Sequence, residues 1–530
     1  MARKPASDKG DDGSAAKEQL KAHRRRADRA WADRDLWQKF YDDAYEFAIP
    51  YRRPSARLGK AANTIERVFD GTAIESSFRA AGQLHADLFP PDFFKLGAGA
   101  ISKISLQESE LDALNSELEK ITTIVSAFFQ TGEFDLASSE MCIDLLVGTG
   151  SLFPIEGDAR TPVRFVCIPF DELAIENDAF GKVSATFWRT KLTRRAIKAA
   201  FKNGKFPQHF EELLKTKPDD EVDIYQDFVL DPDTGRWGFY VYLRDSETFV
   251  FTAEYKTQPI AVARYHRVPG EAYGRGPILL ALPTIKTLNK AVELTLKAAA
   301  IQMLGIWGYR PGGSFNPDTA RLAPGEFWPM QSTGGVLGPD VSRMDAGGGK
   351  VDLGNLITQE LRMQVQSMLG DDKLPADGAT PRSATEIMER MKRIQKNYMG
   401  AWARIVNEVI PVIVMRVMEI LARKNIKGVP SIDIDALLIK IDVISPITQA
   451  IKASAHQRLI EFIQLVMALK GDPMAAQLIV KVDDALRKIG EDQIPRSLLT
   501  TKDEQAAIER KMQEMALAVA AAQAQSKKAA

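Results

Sequence analysis

The sequence predicts an α+β fold, mainly helical, and three observations carry that expectation. Apolar residues recur at three- and four-residue spacing up to about residue 147 and again from about residue 277 onward, the period of helices with one buried face. Between these blocks the period drops to two in runs such as RFVCIPF, KVSATFWRTKL, DIYQDFVL, RWGFYVYLR, TFVFTAEY and PIAVARYHRV, which read as strands. With 530 residues, 45% hydrophobic and 26% charged, the chain is long enough for several packed units and is not disordered in general.

The first 16 residues, rich in charge and small residues, read as a disordered tail without the apolar run of a signal peptide. From about 15 to 49 the chain reads as a helix. Leu20, Ala27, Trp31, Trp37, Phe40, Tyr41 and Tyr45 lie along it, the run Arg24 to Arg26 is on its wet side, and Pro50 and Pro54 close it. Because Asp28, Asp33 and Asp35 follow that basic run at once, it reads as a solvated face rather than a nucleic-acid patch. A second helix ends at Pro90-Pro91, a third runs from about 105 to 129, and a fourth from 134 to 147 closes on Gly148-Thr149-Gly150. The strands follow, with Asp231-Pro232-Asp233-Thr234-Gly235 as a tight turn between two of them.

A glycine-rich turn then opens a helix to about Met303. A Gly/Pro-crowded insert follows that can hold only a small β-containing subdomain, and helical periodicity returns from about 353 to 369. Next comes a loop, Gly370 to Arg382, and then a clean helix start. Ser383 and Glu386 form a capping box, in which the hydroxyl accepts an orphan amide and the carboxylate reaches back to the cap. From Ile387 the apolar seam continues to about Arg423, a helix of roughly 60 Å at 1.5 Å per residue. Pro411 lies inside it, so a kink is expected where its ring presses on the carbonyl of Asn407. The remaining chain reads as helices, ending in an Ala-rich segment that is marginal alone and calls for a partner helix.

Chemistry is excluded more than it is indicated. Lys and Arg total 70 against 70 Asp and Glu, so the net charge is zero and nothing advertises a bulk electrostatic clamp for nucleic acid. Cys142 and Cys167 have apolar neighbours and no metal-ligand spacing, which reads as two buried free thiols. The five histidines are scattered, with no second ligand at a metal-binding offset. In Gly347 to Lys350 the lysine precedes Val351 where a phosphate loop needs Ser or Thr. Tyr273-Gly274-Arg275-Gly276 does not make a dinucleotide fingerprint, and no nucleophile elbow occurs. No catalytic residue, cofactor or metal is expected, and no stretch is apolar enough to span a membrane.

What remains is an architecture, and here the residues resemble a family. Asp70-Gly71-Thr72-Ala73 leads to Leu84, Leu88 and Phe89-Pro90-Pro91 with Phe93-Phe94. Gly148-Thr149-Gly150 is followed by Ile168-Pro169, Asp178, Gly181-Lys182-Val183 and Phe187-Trp188-Arg189. Gly270-Glu271, Tyr273 to Pro277, Leu288-Asn289 and Ala384-Thr385-Glu386 complete the series. In order and spacing these motifs resemble portal proteins, the head-to-tail connectors of short-tailed bacteriophages, over the chain up to about Gly428.

The resemblance implies a homo-oligomeric ring, a dodecamer, around a channel for double-stranded DNA at one capsid vertex, the head–tail junction of a virion assembled in the host cytoplasm. It implies a wing over 17–269, stem helices over 270–303 and 353–369, and a clip over 304–352. A channel loop over 370–382, a long kinked wing helix over 383–424, a crown over 425–500 and a C-terminal barrel helix over 501–530 complete the division. In such a protein the clip docks the large terminase subunit and then the tail adaptor or nozzle proteins, with Phe315, Phe327 and Trp328 as contact residues. Major capsid, scaffold and internal core proteins are further implied partners. Loop residues Asp371, Asp372, Lys373, Asp377 and Arg382 would face DNA, their opposed charges giving weak, sequence-blind contact. Two alternatives stand beside this reading: another structural virion protein, such as a minor capsid or scaffold component, and an enzyme acting on nucleic acid, for which clustered carboxylates or a phosphate loop are missing.

Overall fold

The computed structural model describes residues 12–52, 67–99, 107–304, 306–309, 341–344, 351–371, 384–426, 439–444 and 446–470, with a few positions between 486 and 515. Helix α1 spans Asp12–Phe47, and a 3-10 turn follows at Pro50–Arg52. The buried positions of α1, Ala27, Ala30, Arg34, Tyr41, Ala44 and Tyr45, recur at helical spacing. Tyr41 stacks on Phe170 with centroids 3.4 Å apart, and the buried Arg34 pairs with Asp171 at 2.9 Å. The basic run departs from the solvated face expected of it. Arg24 donates to the carbonyls of Leu243, Arg244 and Ser246 at 2.9, 3.1 and 2.7 Å, and Arg26 pairs with Glu176 at 2.6 Å. A guanidinium is long enough to reach past the helix surface to the carbonyls at a strand end. Beside them His23 meets Asp227 at 2.9 Å among Tyr240 and Phe249.

Of the next helices, α2 (Thr72–Leu88), α3 (Glu108–Thr131) and α4 (Phe134–Val147), α3 packs on strand β1 (Phe94–Ala98) and α2 packs against α4. Phe89, Phe93, Phe94, Phe129, Phe134 and Phe165 form one aromatic cluster with neighbouring centroids 5.0–5.6 Å apart, in edge-to-face, tilted and stacked pairs within the range where rings attract. Strand β2 (Thr149–Glu156) is the middle of a three-stranded sheet, between β3 (Val163–Cys167) and β9 (Ala261–Arg264). A five-stranded antiparallel sheet runs in the order β4 (Leu173–Asn177), β5 (Val183–Thr193), β6 (Glu221–Leu230), β7 (Trp237–Leu243), β8 (Phe251–Tyr255). Short helices α5 (Arg194–Ala200) and α6 (Gln208–Thr216), which the sequence reading did not single out, fill the β5–β6 connection. The hairpin β10 (His266–Arg267) with β11 (Gly274–Arg275) leads into α7 (Pro277–Leu304).

Beyond the strands β12 (Ile306–Tyr309) and β13 (Val341–Met344) come helices α8 (Val351–Leu369) and α9 (Ala384–Arg423). Helix α9 is one continuous element of 40 residues with Pro411 inside it. Val409, Ile410, Ile413, Val414, Val417 and Leu421 are fully buried, so this half of the helix is a core element on several faces. Its charges are spent on the sheets. Glu408 accepts from Arg264 at 2.7 Å, and Arg423 pairs with Glu156 at 2.6 Å. Arg416, 1% exposed, lies 4.0 Å over the Tyr255 ring and pairs with Glu419 at 3.0 Å. Burial pushes the Glu419 carboxyl up. The Thr257 hydroxyl, Arg416 and the Lys256 amide outweigh it and hold the group below its usual range. Strand β14 (Ile439–Val443) pairs antiparallel with β1, Phe94 opposite Val443, so residues well past α9 return to the first sheet of the body. Helix α10 (Pro446–Lys470) follows.

The end of α4 and the start of α7 meet backbone to backbone. A Cβ on Gly148 would stand 2.1 Å from the Gly274 carbonyl oxygen, and one on Gly276 would stand 2.1 Å from that of Leu146. Gly276 N–H donates to Val147 at 2.8 Å, Tyr265 N–H to Gly148 at 2.9 Å, and Gly274 N–H to the Thr149 hydroxyl at 2.9 Å. The two glycine motifs of the sequence are therefore the two halves of one joint. Gly148→Ala or Gly276→Ala should cost at least about 2 kcal/mol, because the obstruction is backbone that cannot swing aside. Gly82→Ala, in α2 with nothing within 4 Å of its Cβ, should instead stabilise by about 1 kcal/mol. Urea denaturation of the purified variants checks both signs.

Candidate functional site at the root of the helix pair

Helices α7 and α8 pack against each other, and the pair leaves the body. Ile278, Ala281, Ile285, Leu288 and Val292 of α7 are buried, but none of residues 293–300 is. In α8 the buried side chains among the described residues are Thr358 near its middle and Val365 and Leu369 toward its C-terminal end. The outer half of the pair carries Leu294, Leu296, Leu356 and Ile357 exposed by 46–64%, and Met363 and Met368 continue that surface at 63% and 49%. Past α7 the chain forms the antiparallel β12–β13 pair, Ile306 opposite Met344.

The root of the pair is held by polar contacts that join three elements. Asn289 on α7 accepts the N–H groups of Phe69 and Asp70 at 2.7 and 3.3 Å and donates to the Arg67 carbonyl at 2.8 Å, satisfying both ends of its amide. Asp70, 8% exposed, accepts the N–H of Thr72 at 2.9 Å, one of the amides the first turn of α2 leaves without a helical partner. Its other oxygen meets Arg362 of α8 at 2.8 Å. Two motifs far apart in the sequence, at 70–73 and 288–289, are thus one structural unit. Arg362 completes it, and nothing in its helical spacing singles it out in the sequence.

Helix α8 ends on Gly370, whose φ of +74° is the left-handed cap glycine accommodates. Gly370 N–H donates to Ser367 at 3.1 Å and Asp371 N–H to Gln366 at 2.9 Å, the paired bonds of a Schellman motif. Asp371 then turns back onto α2, accepting from the Ser76 hydroxyl at 2.7 Å and from Arg79 at 3.2 Å. Of the residues expected to face DNA, Asp371 is therefore engaged with the body. Asp372, Lys373, Asp377 and Arg382 lie outside the described residues, as do the expected cap Ser383, the expected contact residues Phe315, Phe327 and Trp328, and the Gly347–Lys350 run. Glu386 falls in the first turn of α9, and Pro411 lies in its buried half.

No group of three or more metal-ligating side chains occurs among the described residues. Both cysteines are buried, and burial pushes each thiol up, away from the thiolate a nucleophile needs. Among the described residues no helix is long and apolar enough to cross a membrane.

Comparison with known proteins gives these features a context. The family profile described as "Bacteriophage head to tail connecting protein" matches residues 20–494. The portal protein of Escherichia phage T7 is 23% identical over 212 residues, 39% of this chain and 38% of that protein. The portal protein of Enterobacteria phage T3 is 23% identical over 224 residues, 41% of each. The matches thus span about two fifths of the length of these curated relatives. A solved structure of the neck of an empty gene transfer agent particle aligns with a TM-score of 0.34 at 13% identity, covering 75% of this chain and 90% of that one.

The root makes a stability prediction. Asn289→Ala and Asp70→Ala should each cost about 1–2 kcal/mol, since each strands amides or an arginine at one turn partly open to water. The double variant should cost less than the sum, because both side chains hold the same turn. Urea denaturation of the full chain measures all three.

Proposed function

We propose, because the chain belongs to the family of bacteriophage head to tail connecting proteins, that it is a portal protein: a structural ring, not an enzyme, at one vertex of a phage capsid. The family profile over residues 20–494 supports this reading, and one structural observation carries it. The α7–α8 pair leaves the body with leucine, isoleucine and methionine exposed on faces that its own packing does not use. A helix that is apolar on more than one face is stable when neighbours cover it, and a ring of identical copies supplies a neighbour on each side.

In this reading twelve copies surround a channel for double-stranded DNA. Residues 17–269 and the long helix 383–424 are the wing, 270–303 and 353–369 the stem, and 304–352 the clip, with Phe315, Phe327 and Trp328 offered to the terminase and then to the tail adaptor. Residues 425–500 are the crown and 501–530 the barrel helix, nearest the capsid interior. The chain after Asp371 is the channel loop, with Asp372, Lys373, Asp377 and Arg382 beside the DNA. A passage for DNA in both directions is served by few strong phosphate contacts, since each one adds affinity and so drag. A chain with 70 basic and 70 acidic side chains is compatible with that need.

The test is to delete residues 372–379 in phage that depend on this chain. The expected outcome is particles assembled in normal number, with packaged or retained DNA reduced several-fold. Normal DNA content would contradict the channel-loop assignment, and loss of particles would show that the segment is needed for assembly instead.

A further inference from the structure

We propose that Ser76 and Arg79 of α2 are positioning residues for the chain that leaves α8, clamping Asp371 so that a load applied beyond this residue is stopped here instead of unwinding the helix. Three observations support the clamp. The Schellman bonds at Gly370 and Asp371 close α8 on itself but tie it to nothing else. The Asp371 carboxylate makes that tie, with its side chain only 9% exposed, against a Ser76 hydroxyl that is 1% exposed and an Arg79 guanidinium. Arg79 is itself held by Glu75 one turn back, so its charge is aimed before Asp371 arrives.

Helix α2 is a suitable anchor. At its far end His85 bonds the buried Ser138 of α4 at 2.9 Å, and Leu88 is fully buried. Near its start Asp70 holds Arg362, two turns before the end of α8. The last turns of α8 are thus fixed to α2 at two points, and α2 is fixed to the aromatic core. A pull on residue 372 reaches the core through Asp371, Ser76 and α2. A helix end without the side-chain clamp would fray, because its terminal turn has few bonds to lose.

The inference rests on the portal reading only for its use, as a fixed mount for a channel loop; the clamp itself is tested on the isolated chain. Hydrogen exchange of the amides of Gly370 and Asp371 is measured in the purified full chain carrying Asp371→Asn, Ser76→Ala or Arg79→Gln. Each variant should accelerate exchange at these two amides about tenfold, the loss of a hydrogen bond to a charged group. Arg79→Lys, which keeps the charge, should stay within about threefold of the wild type. Exchange unchanged in both Asp371→Asn and Ser76→Ala would overturn the clamp, whatever the phage does. Arg79→Gln changes only a half-exposed side chain, so it reports on the clamp even if Ser76→Ala disturbs the core. Faster exchange with normal DNA packaging in phage carrying Asp371→Asn would uphold the clamp and show that packaging does not depend on it.

Discussion

The contact on which the rest depends is the one with no side chains in it. Where α4 ends and α7 begins, Gly148, Gly274 and Gly276 bring backbone against backbone, closer than any Cβ would permit. Thr149 opens β2 at that point, and its hydroxyl receives the Gly274 amide. Tyr273, buried beside the joint, accepts the Ile175 amide at 3.2 Å and sets its ring edge against Phe170. The sheets, α1 and the departing helix pair thus share one fixed vertex. The direction in which α7 leaves the body is set there, before any contact along its length.

Around this vertex the charged side chains do local work. Arg34, Arg264 and Arg416 are each at most 5% exposed and each reaches a carboxylate, Asp171, Glu408 and Glu419. Removing one partner of such a pair strands the other, so these contacts specify how α1 and α9 seat on the sheets more than they add net stability. The effect is a body whose long helices are registered at several points. A segment mounted on that body at Asp371 starts from a defined position, which the proposed contact with DNA would require of its support.

Much of this was legible in the sequence, and the parts that were not have physical reasons. Helix α4 is found at 134–147 as its periodicity predicts, and α9 ends at Arg423, where its apolar seam runs out. The strands β5 to β9 announced themselves through alternation in β-branched and aromatic residues. Strand β14 did not, since five residues with a partner more than 300 positions away leave too short a pattern. The motifs around Asp70 and Asn289 were visible as text, yet nothing in the text says that they touch. Arg24 and Arg26 read as solvated because a side chain's reach across to another element is not written in its neighbours. Asp371 read as a loop acid for the same reason: its partners Ser76 and Arg79 are almost 300 residues earlier.

The central claim is that the apolar faces of α7 and α8 are covered by neighbouring copies in a closed ring. Electron microscopy of the purified chain, beside the variant Leu356→Asp/Met363→Asp, tests it most directly. The account predicts rings with a central hole for the wild type, and for the variant folded monomers with unchanged helical circular dichroism. Monomers or irregular shells from the wild type, or intact rings from the variant, would contradict it.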